Sequence, residues 1–415
     1  LDIALLRRAA WHAVRAHQAL RLRFRHCPAK GWVAFDSGMF DANLPEVCCF
    51  ARLVPPGSAP SRGRWIAAEA QRLASDIDPF SGMPLLRLVL FDCGGQGEDR
   101  LLLAVHHFVC DGLSCQILWR DVSRAYMALR DGRPIEDRPL GIELLEFSYF
   151  LRELARDDGA LSYWLRPRPA LVELDGCRWE EGFVGPWRRS TTARLTLDNA
   201  AAAGLRRTAS EVHRCFLPEL LLGAYVYVLG EWLGDGHVVV ANWTSAHVTA
   251  RGRYPVNGVV GNFAYPVFTY FVLDADRGFA RTLEHARVEQ LDAFEGALEF
   301  GACRFVEHTP GDDLAGGAIA VGALAMPLFT FNYMGNFPPR AGDMPLRWAS
   351  EALETFVGAE SEKYSLLDFD VDLQDDRMYL EVNYPEEHPL TPQLRAVAGR
   401  LLRFVGRLGY GVSAE

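Results

Sequence analysis

The stretch VHHFVCDGLSC at 105–115 sets two histidines, His106 and His107, four to five residues ahead of Asp111, with Gly112 directly after it. An imidazole with an ordinary pKa near ~6.5 can take up or release a proton at neutral pH. A buried carboxylate needs a partner and can anchor a turn, and a glycine allows close chain approach or a positive φ. An active site, a metal site and an ordinary strand end are the three readings. Adjacent residues on a strand point to opposite faces, so His106 and His107 cannot share one metal without a kink. No HxH, HExxH or Cys/His spacing nearby supplies further ligands, and no metal is expected. From the residues alone, a catalytic histidine and a core-plus-surface pair at a strand end both remain open.

The elements around the motif place it on a strand-to-helix turn. PLLRLVLFD and LLLAVHHF read as strands on either side of the glycine-rich turn CGGQGEDR. After Gly112, LSCQILWRDVSRAYMALRDG puts Leu113, Ile117, Leu118, Val122 and Tyr126 on one helical face. Upstream, a helix over 3–18 passes into LRLRF at strand spacing, and 64–75 reads as another helix. Arg21, Arg23 and Arg25 alternate with Leu22 and Phe24, as the solvated face of a half-buried strand would. Residues 155–190, irregular and rich in Pro, Gly and Trp, suit a connection between lobes. Beyond it the pattern predicts strand 191–197, helices 198–210 and 217–233, strands 237–243 and 265–273, and helix 278–296. Strands near 326–334 and 346–357, a hairpin over 366–384 and a last helix over 391–407 complete the order. Strands and helices mix in both halves, which indicates an α/β or α+β pair of domains.

The 415 residues, 49% hydrophobic, exceed one ordinary core and suit two domains, divided here as 1–165 and 166–415. A net charge of −10 without a sustained basic run argues against nucleic-acid binding. Nine cysteines with no CxxC pair fit a reduced, cytoplasmic protein. No apolar run reaches the ~20 residues of a membrane span, and no signal-peptide layout opens the chain. Leu1 already lies inside a helical pattern, so a preceding segment is expected.

HHxxxDG followed by a helix resembles the signature of the condensation-domain superfamily of nonribosomal peptide synthetases, carried here by His106, His107, Asp111 and Gly112. AVRAHQALRLRF at 13–24 is similar to that family's RHExLRTxF segment, IDPFSGMPLLR at 77–87 to its FDxxxGPLLR, and GVVGNFAYPVF at 258–268 to its VGxFVNTxP, all in family order. The resemblance implies two chloramphenicol-acetyltransferase-like lobes forming a V-shaped pseudo-dimer with an active-site tunnel between them. It implies that His107 is catalytic, that His106 points into the core, and that Asp111 pairs with a distant arginine, for which Arg253 or, alternatively, Arg251 is the candidate. Either arginine could equally face solvent. Asn262, Ser245 and His247 are candidates for the tunnel wall, though Asn262 also suits a loop cap. The implied partners are acyl or peptidyl carrier proteins whose phosphopantetheine arms carry the substrates, with no bound cofactor and a monomeric enzyme.

Within the superfamily two segments lean toward epimerases. HHFVCDGLSCQILWRDV matches HHxxxDGxSxxILxxDL, and FTFNYMGNF at 329–337 is similar to FNYLGQF; YWL at 163–165 also recurs there. Epimerases of this family pair the histidine with a glutamate in EGHGRE, whereas VVVANWTSAHVTARGR at 238–253 contains no acid. Without a second proton-transfer group, inversion at an α-carbon lacks its usual partner, with His247 the only local substitute. Acyl transfer to an amine or hydroxyl acceptor is therefore expected, in nonribosomal peptide or hybrid polyketide biosynthesis. Epimerisation, coenzyme A-dependent acyl transfer and a non-catalytic recruitment role are the alternatives. The chain is either stand-alone or part of a larger synthetase, and its arginines, far outnumbering Lys30 and Lys363, could dock acidic carriers.

Overall fold

The periodic apolar residues at the start of the chain fold as helix α1 (Ile3–Ala16), which buries Leu6, Ala9, Ala10, Ala13 and Val14. Asp2 caps it, its carboxylate accepting from the N–H groups of Ala4 at 2.7 Å and Leu5 at 3.1 Å. The computed structural model describes the chain except residues 29–30, 39–45, 47, 82, 137–143, 157–158, 169–170, 172–184, 275, 306–315, 338–345, 347–348, 350–359, 375–376 and 411–415. It comprises two units: 1–147 with 250–263 and 338–356, and 148–249 with 264–337 and 357–415.

In the first unit, the one-turn helix α2 (Gln18–Arg21) leads into β1 (Leu22–Cys27), paired antiparallel with β2 (Gly31–Asp36). There follow β3 (Cys49–Leu53), α3 (Ala59–Ser75), β4 (Leu86–Asp92), β5 (Arg100–Val105) and α4 (Gly112–Arg130). β4 is the middle strand of three, parallel to β3 and antiparallel to β5. Its alternation divides the core. Leu88 and Leu90 pack with Ala9 and Ala13 of α1 and Val122 and Tyr126 of α4, while Val89 and Phe91 pack with Ile66, Ala70 and Leu73 of α3.

The arginine row expected to face solvent does so only at Arg25, which is exposed. Arg21 belongs to α2 and pairs with Asp36 at 3.0 Å, and Arg23 is buried, its Nη1 donating to the Leu22 carbonyl at 2.6 Å. Leu22 and Arg23 are both enclosed, so period-two alternation does not separate core from solvent at the start of this ribbon. Burial lowers the Arg23 pKa, against the opposing influence of Cys48 and Asp36.

Helix α5 (Leu144–Leu154) carries the chain past the boundary at Phe147/Ser148, which replaces the cut expected at 165/166. The reason lies in α6 (Ser162–Leu165). Trp164 Nε1 donates to the Phe268 carbonyl at 2.8 Å, and its ring stacks on Phe300 at 4.5 Å. Tyr163 bonds Glu289 and the Tyr270 N–H, so YWL is held by the second unit. Most of the connection expected over 155–190 lies outside the described residues.

The second unit continues with β6 (Gly185–Pro186), β7 (Ser190–Leu197), α7 (Asn199–Arg207), α8 (Leu217–Leu233), β8 (Gly236–Ser245), α9 (Ala246–Thr249) and β9 (Ala264–Leu273). Helices α10 (Phe279–Glu295), α11 (Ala297–Phe305) and α12 (Gly316–Gly322) precede β10 (Phe329–Phe337), β11 (Glu362–Lys363), the hairpin β12 (Leu367–Gln374) and β13 (Arg377–Pro385), and α13 (Thr391–Gly409). Six strands form one sheet in the order β7-β13-β12-β10-β8-β9. LDFDVDL alternates across it. Leu367, Phe369, Val371 and Leu373 enter a core shared with α8 and α13, while Asp368, Asp370 and Asp372 take the other face. Buried Lys363 pairs with Asp368 and donates to Ser365 Oγ at 3.0 Å. Burial and the Asp368 charge push the Asp370 carboxyl up to about 7, against hydrogen bonds from Asn332 and Asn383. The strand expected near 346–357 falls almost wholly outside the described residues. Among those described, no single helix is long and apolar enough to cross a membrane.

Candidate active site

Strand β5 pairs with β4 up to Val105 opposite Leu86, and one further bond, His106 N–H to the Leu85 carbonyl at 2.9 Å, closes the ladder. The chain then turns. His107–Val109 form a 3₁₀ turn, with the Val109 N–H on the His106 carbonyl at 3.1 Å. His106 Nδ1 accepts from the Phe108 N–H at 3.1 Å, which leaves the proton of the neutral ring on Nε2. This side chain competes with the ladder for the backbone and ends the strand. The histidines therefore do not occupy opposite faces of a strand, as the alternation predicts: His106 caps the turn and His107 begins it. His106 is half-buried against the Phe108 ring, not sunk in the core, and His107 is exposed. Burial lowers the His106 pKa, the neighbouring His107 lowers it further, and Asp78 opposes both.

Asp111 is buried and caps α4, its Oδ1 accepting from the Ser114 N–H at 2.8 Å. Its carbonyl takes the Cys115 N–H at 2.9 Å. Gly112 is the first residue of the helix and is not among the glycines with left-handed φ, so the turn does not use the positive φ that glycine permits. Cys110 and Cys115, on either side of the cap, bring their Sγ atoms to 3.4 Å, and all eight described cysteines are free thiols.

The turn is fastened from 147 residues away. The Gly261 carbonyl accepts from the Asp111 N–H at 3.1 Å and from Ser114 Oγ at 2.8 Å, and the Gly261 N–H returns a bond to Ser114 Oγ at 3.1 Å. A Cβ on Gly261 would come within 2.8 Å of the Phe263 ring and 3.0 Å of Leu144 Cδ1, so no larger residue fits without displacement. Ser114 and Gly261 are the site residues that the sequence reading does not single out. Gly261 stands in the quoted GVVGNF segment, next to the candidate Asn262, which is exposed. Arg251 and Arg253 lie in the turn just before this segment, in the same unit as Asp111, and both are exposed. A second tie joins two of the motif segments: buried His17 Nε2 lies 3.1 Å from Asp121 Oδ2. Burial raises the Asp121 pKa, but hydrogen bonds from His17 and Arg120 outweigh it and leave the carboxyl below its usual value.

Ser245 and His247 belong to the second unit. Both are buried, with His247 Nδ1 3.1 Å from Ser245 Oγ.

The family model for the condensation domain matches residues 1–387. Among curated proteins, one of the linear gramicidin synthase polypeptides of Brevibacillus parabrevis is 24% identical over 401 residues, covering 93% of this chain and 5% of that protein. The chain thus spans about a twentieth of that relative's length. Bacitracin synthase 3 of Bacillus licheniformis is 23% identical over 343 residues, covering 80% of this chain and 5% of that protein. Among solved structures, the epimerization domain from the third module of tyrocidine synthetase B is 19% identical, with a TM-score of 0.77 over 100% of this chain and 90% of that one. The first condensation domain of the CDA synthetase is also 19% identical, with a TM-score of 0.68 over 100% of this chain and 89% of that one. At this identity the two structures establish the fold, and they stand on both sides of the choice between condensation and epimerisation.

Proposed function

We propose that this chain, which belongs to the condensation-domain family, transfers an acyl group from the phosphopantetheine thioester of a carrier protein to an amine or hydroxyl acceptor. The observation that carries the reading is the division of labour in the turn. His106 and Asp111 are held by backbone bonds, while the neighbouring His107 is left exposed at the end of a fixed element. His107 takes the proton of the attacking amine or hydroxyl as the new bond to the thioester carbon forms, and the pantetheine thiol leaves with a proton as the C–S bond breaks. The N–H groups of Ser114 and Cys115 are engaged by Asp111. Oxyanion stabilisation therefore falls to the Gly112 and Leu113 N–H groups, at the positive end of the α4 dipole. Asp111 positions the turn and Arg253, or Arg251, balances its charge. Asn262, in the same unit as His107, serves the substrate path. The partners are acyl or peptidyl carrier proteins in a reducing, cytoplasmic setting, and no resident cofactor takes part.

Epimerisation is the second reading, supported by FTFNYMGNF, which forms β10. It needs a second proton-transfer group, and the acid-free stretch 238–253 offers only His247, whose Nδ1 lies against Ser245 Oγ. The test is His107→Ala with an acyl-loaded carrier and paired amine and alcohol acceptors. Loss of acceptor-dependent deacylation supports acyl transfer, and near-wild-type turnover excludes His107 as the base. Running the same assay with acyl-coenzyme A separates carrier-dependent from coenzyme A-dependent transfer, and inactivity toward every donor points to a recruitment role.

A further inference from the structure

An unbroken run of aromatic rings in the first unit ends at the motif. The His26 ring meets the edge of Trp32 with centroids 5.3 Å apart, and Trp32 stacks on Phe80 at 4.6 Å. Phe80 faces Phe108 at 6.5 Å, and Phe108 packs edge-on against Phe24 at 5.2 Å and against His106 at 4.6 Å. The β1–β2 register explains the first part, since His26 and Trp32 are directly opposed and Phe24 lies two residues from His26 on the same face. The other rings are set by local backbone bonds. The Phe80 N–H donates to Asp78 Oδ1 at 2.9 Å, and the Phe108 N–H donates to His106 Nδ1 at 3.1 Å. Despite this ordering the rings are open to solvent: Trp32 is 59% exposed, Phe80 50% and Phe108 51%. Large apolar side chains in mutual contact and half in water mark a binding surface more often than a fold requirement. The proton transfer assigned to His107 uses none of them.

We propose that this aromatic run is the subsite for a long apolar acyl chain, which lies along Trp32, Phe80 and Phe108 with its carbonyl end at His107, and that it makes the protein selective for such donors over short ones. The proposal rests on the reading of His107 as the acyl-transfer residue. What commits the surface to substrate is where it stops. Phe108 directly follows His107 in the chain, and its ring packs on His106, so a ligand on the rings ends beside the turn that carries the reacting group. The preset ring positions lower the ordering cost of binding, and each buried methylene adds to affinity.

The test is calorimetric titration of the full chain with octanoyl-pantetheine and acetyl-pantetheine, done in the His107→Ala background so that no turnover is needed. The octanoyl probe is expected to bind at least ~10-fold more tightly. Trp32→Ala and Phe80→Ala, both at exposed positions and checked for unchanged melting, are expected to abolish most of that difference while leaving acetyl binding as it was. Equal affinity for the two probes overturns the subsite, and so does an octanoyl preference that survives the Trp32→Ala/Phe80→Ala pair. The outcome is independent of the proposed function: if His107→Ala turns over normally, the acyl-transfer reading fails while the titration still reports on the rings.

Discussion

Two neighbouring imidazoles of identical chemistry are separated by what their ring nitrogens meet. His106 spends Nδ1 on the Phe108 N–H and loses part of its hydration, whereas His107 stands in solvent one residue on. His107→Ala is expected to lower turnover by ~10²–10⁴-fold with an unchanged melting temperature, because an exposed side chain is removed. His106→Ala is expected to cost about 1–2 kcal/mol of stability, read by denaturant unfolding, since a backbone donor at the turn loses its acceptor. The lowered His106 pKa also has a signed consequence. The unfolded chain binds a proton there near pH ~6.5 and the folded chain only at lower pH, so this contribution to stability is complete above ~6.5 and is lost as pH falls through the folded value. Unfolding at stepped pH should show that loss in the wild type, and His106→Gln should remove it. The residue types in VHHFVCDG drew attention to the pair, and only the family resemblance singled out His107 from it. Its local conformation was not legible, because period-two alternation assumes that the strand continues, and here a side-chain nitrogen takes the next backbone donor and ends it.

The elements that meet at the turn are the end of β5, the start of α4 and the 258–263 segment, and the piece joining them is a serine hydroxyl. Ser114→Ala removes one acceptor and one donor for the buried Gly261 backbone and is expected to cost about 1–3 kcal/mol. It should also reduce turnover further than the stability loss alone explains, because Asp111 shares the Gly261 carbonyl. Gly261→Ala should be at least as harmful through the Phe263 contact, and melting of both variants checks the pair. Family resemblance drew attention to GVVGNF, yet nothing local in the sequence reveals that its glycine bonds a residue 147 positions earlier. The hairpin at 367–385, by contrast, is plain from its alternation. That alternation also puts three aspartates on one sheet face, where burial and the Asp368 charge push the Asp370 carboxyl up to about 7. Its raised pKa means that the folded form holds a proton the unfolded chain has released, so the protein loses stability as pH rises from ~4 to about 7. Asp370→Asn is expected to be more stable than the wild type at pH 8, by at most ~4 kcal/mol, with the advantage shrinking toward pH 4.

At the scale of the whole chain, length alone predicted two domains, and two units are present. Where they divide was not legible, for two physical reasons. Tyr163 and Trp164 look like part of an irregular connection but are bound by residues more than a hundred positions later. The first unit also recovers 250–263 and 338–356 after the second has begun, which no composition shift announces. Most elements of the second unit followed from hydrophobic period, with α8 and β9 matching their expected spans within a residue, because long apolar runs bounded by turn residues leave few alternatives. Acidic carriers meeting a chain whose cations are nearly all arginines should dock less tightly as salt rises, so KM for the loaded carrier is expected to increase several-fold between about 50 and 300 mM salt. The central claim, acyl transfer at His107, is tested most directly by intact-protein mass spectrometry of an acyl-loaded carrier in deuterated buffer with paired amine and alcohol acceptors. The account predicts that the acyl mass leaves the carrier only when an acceptor and an intact His107 are both present. Undiminished acyl loss with His107→Ala, or deuterium entering the α-carbon while the acyl group stays on the carrier, would contradict it.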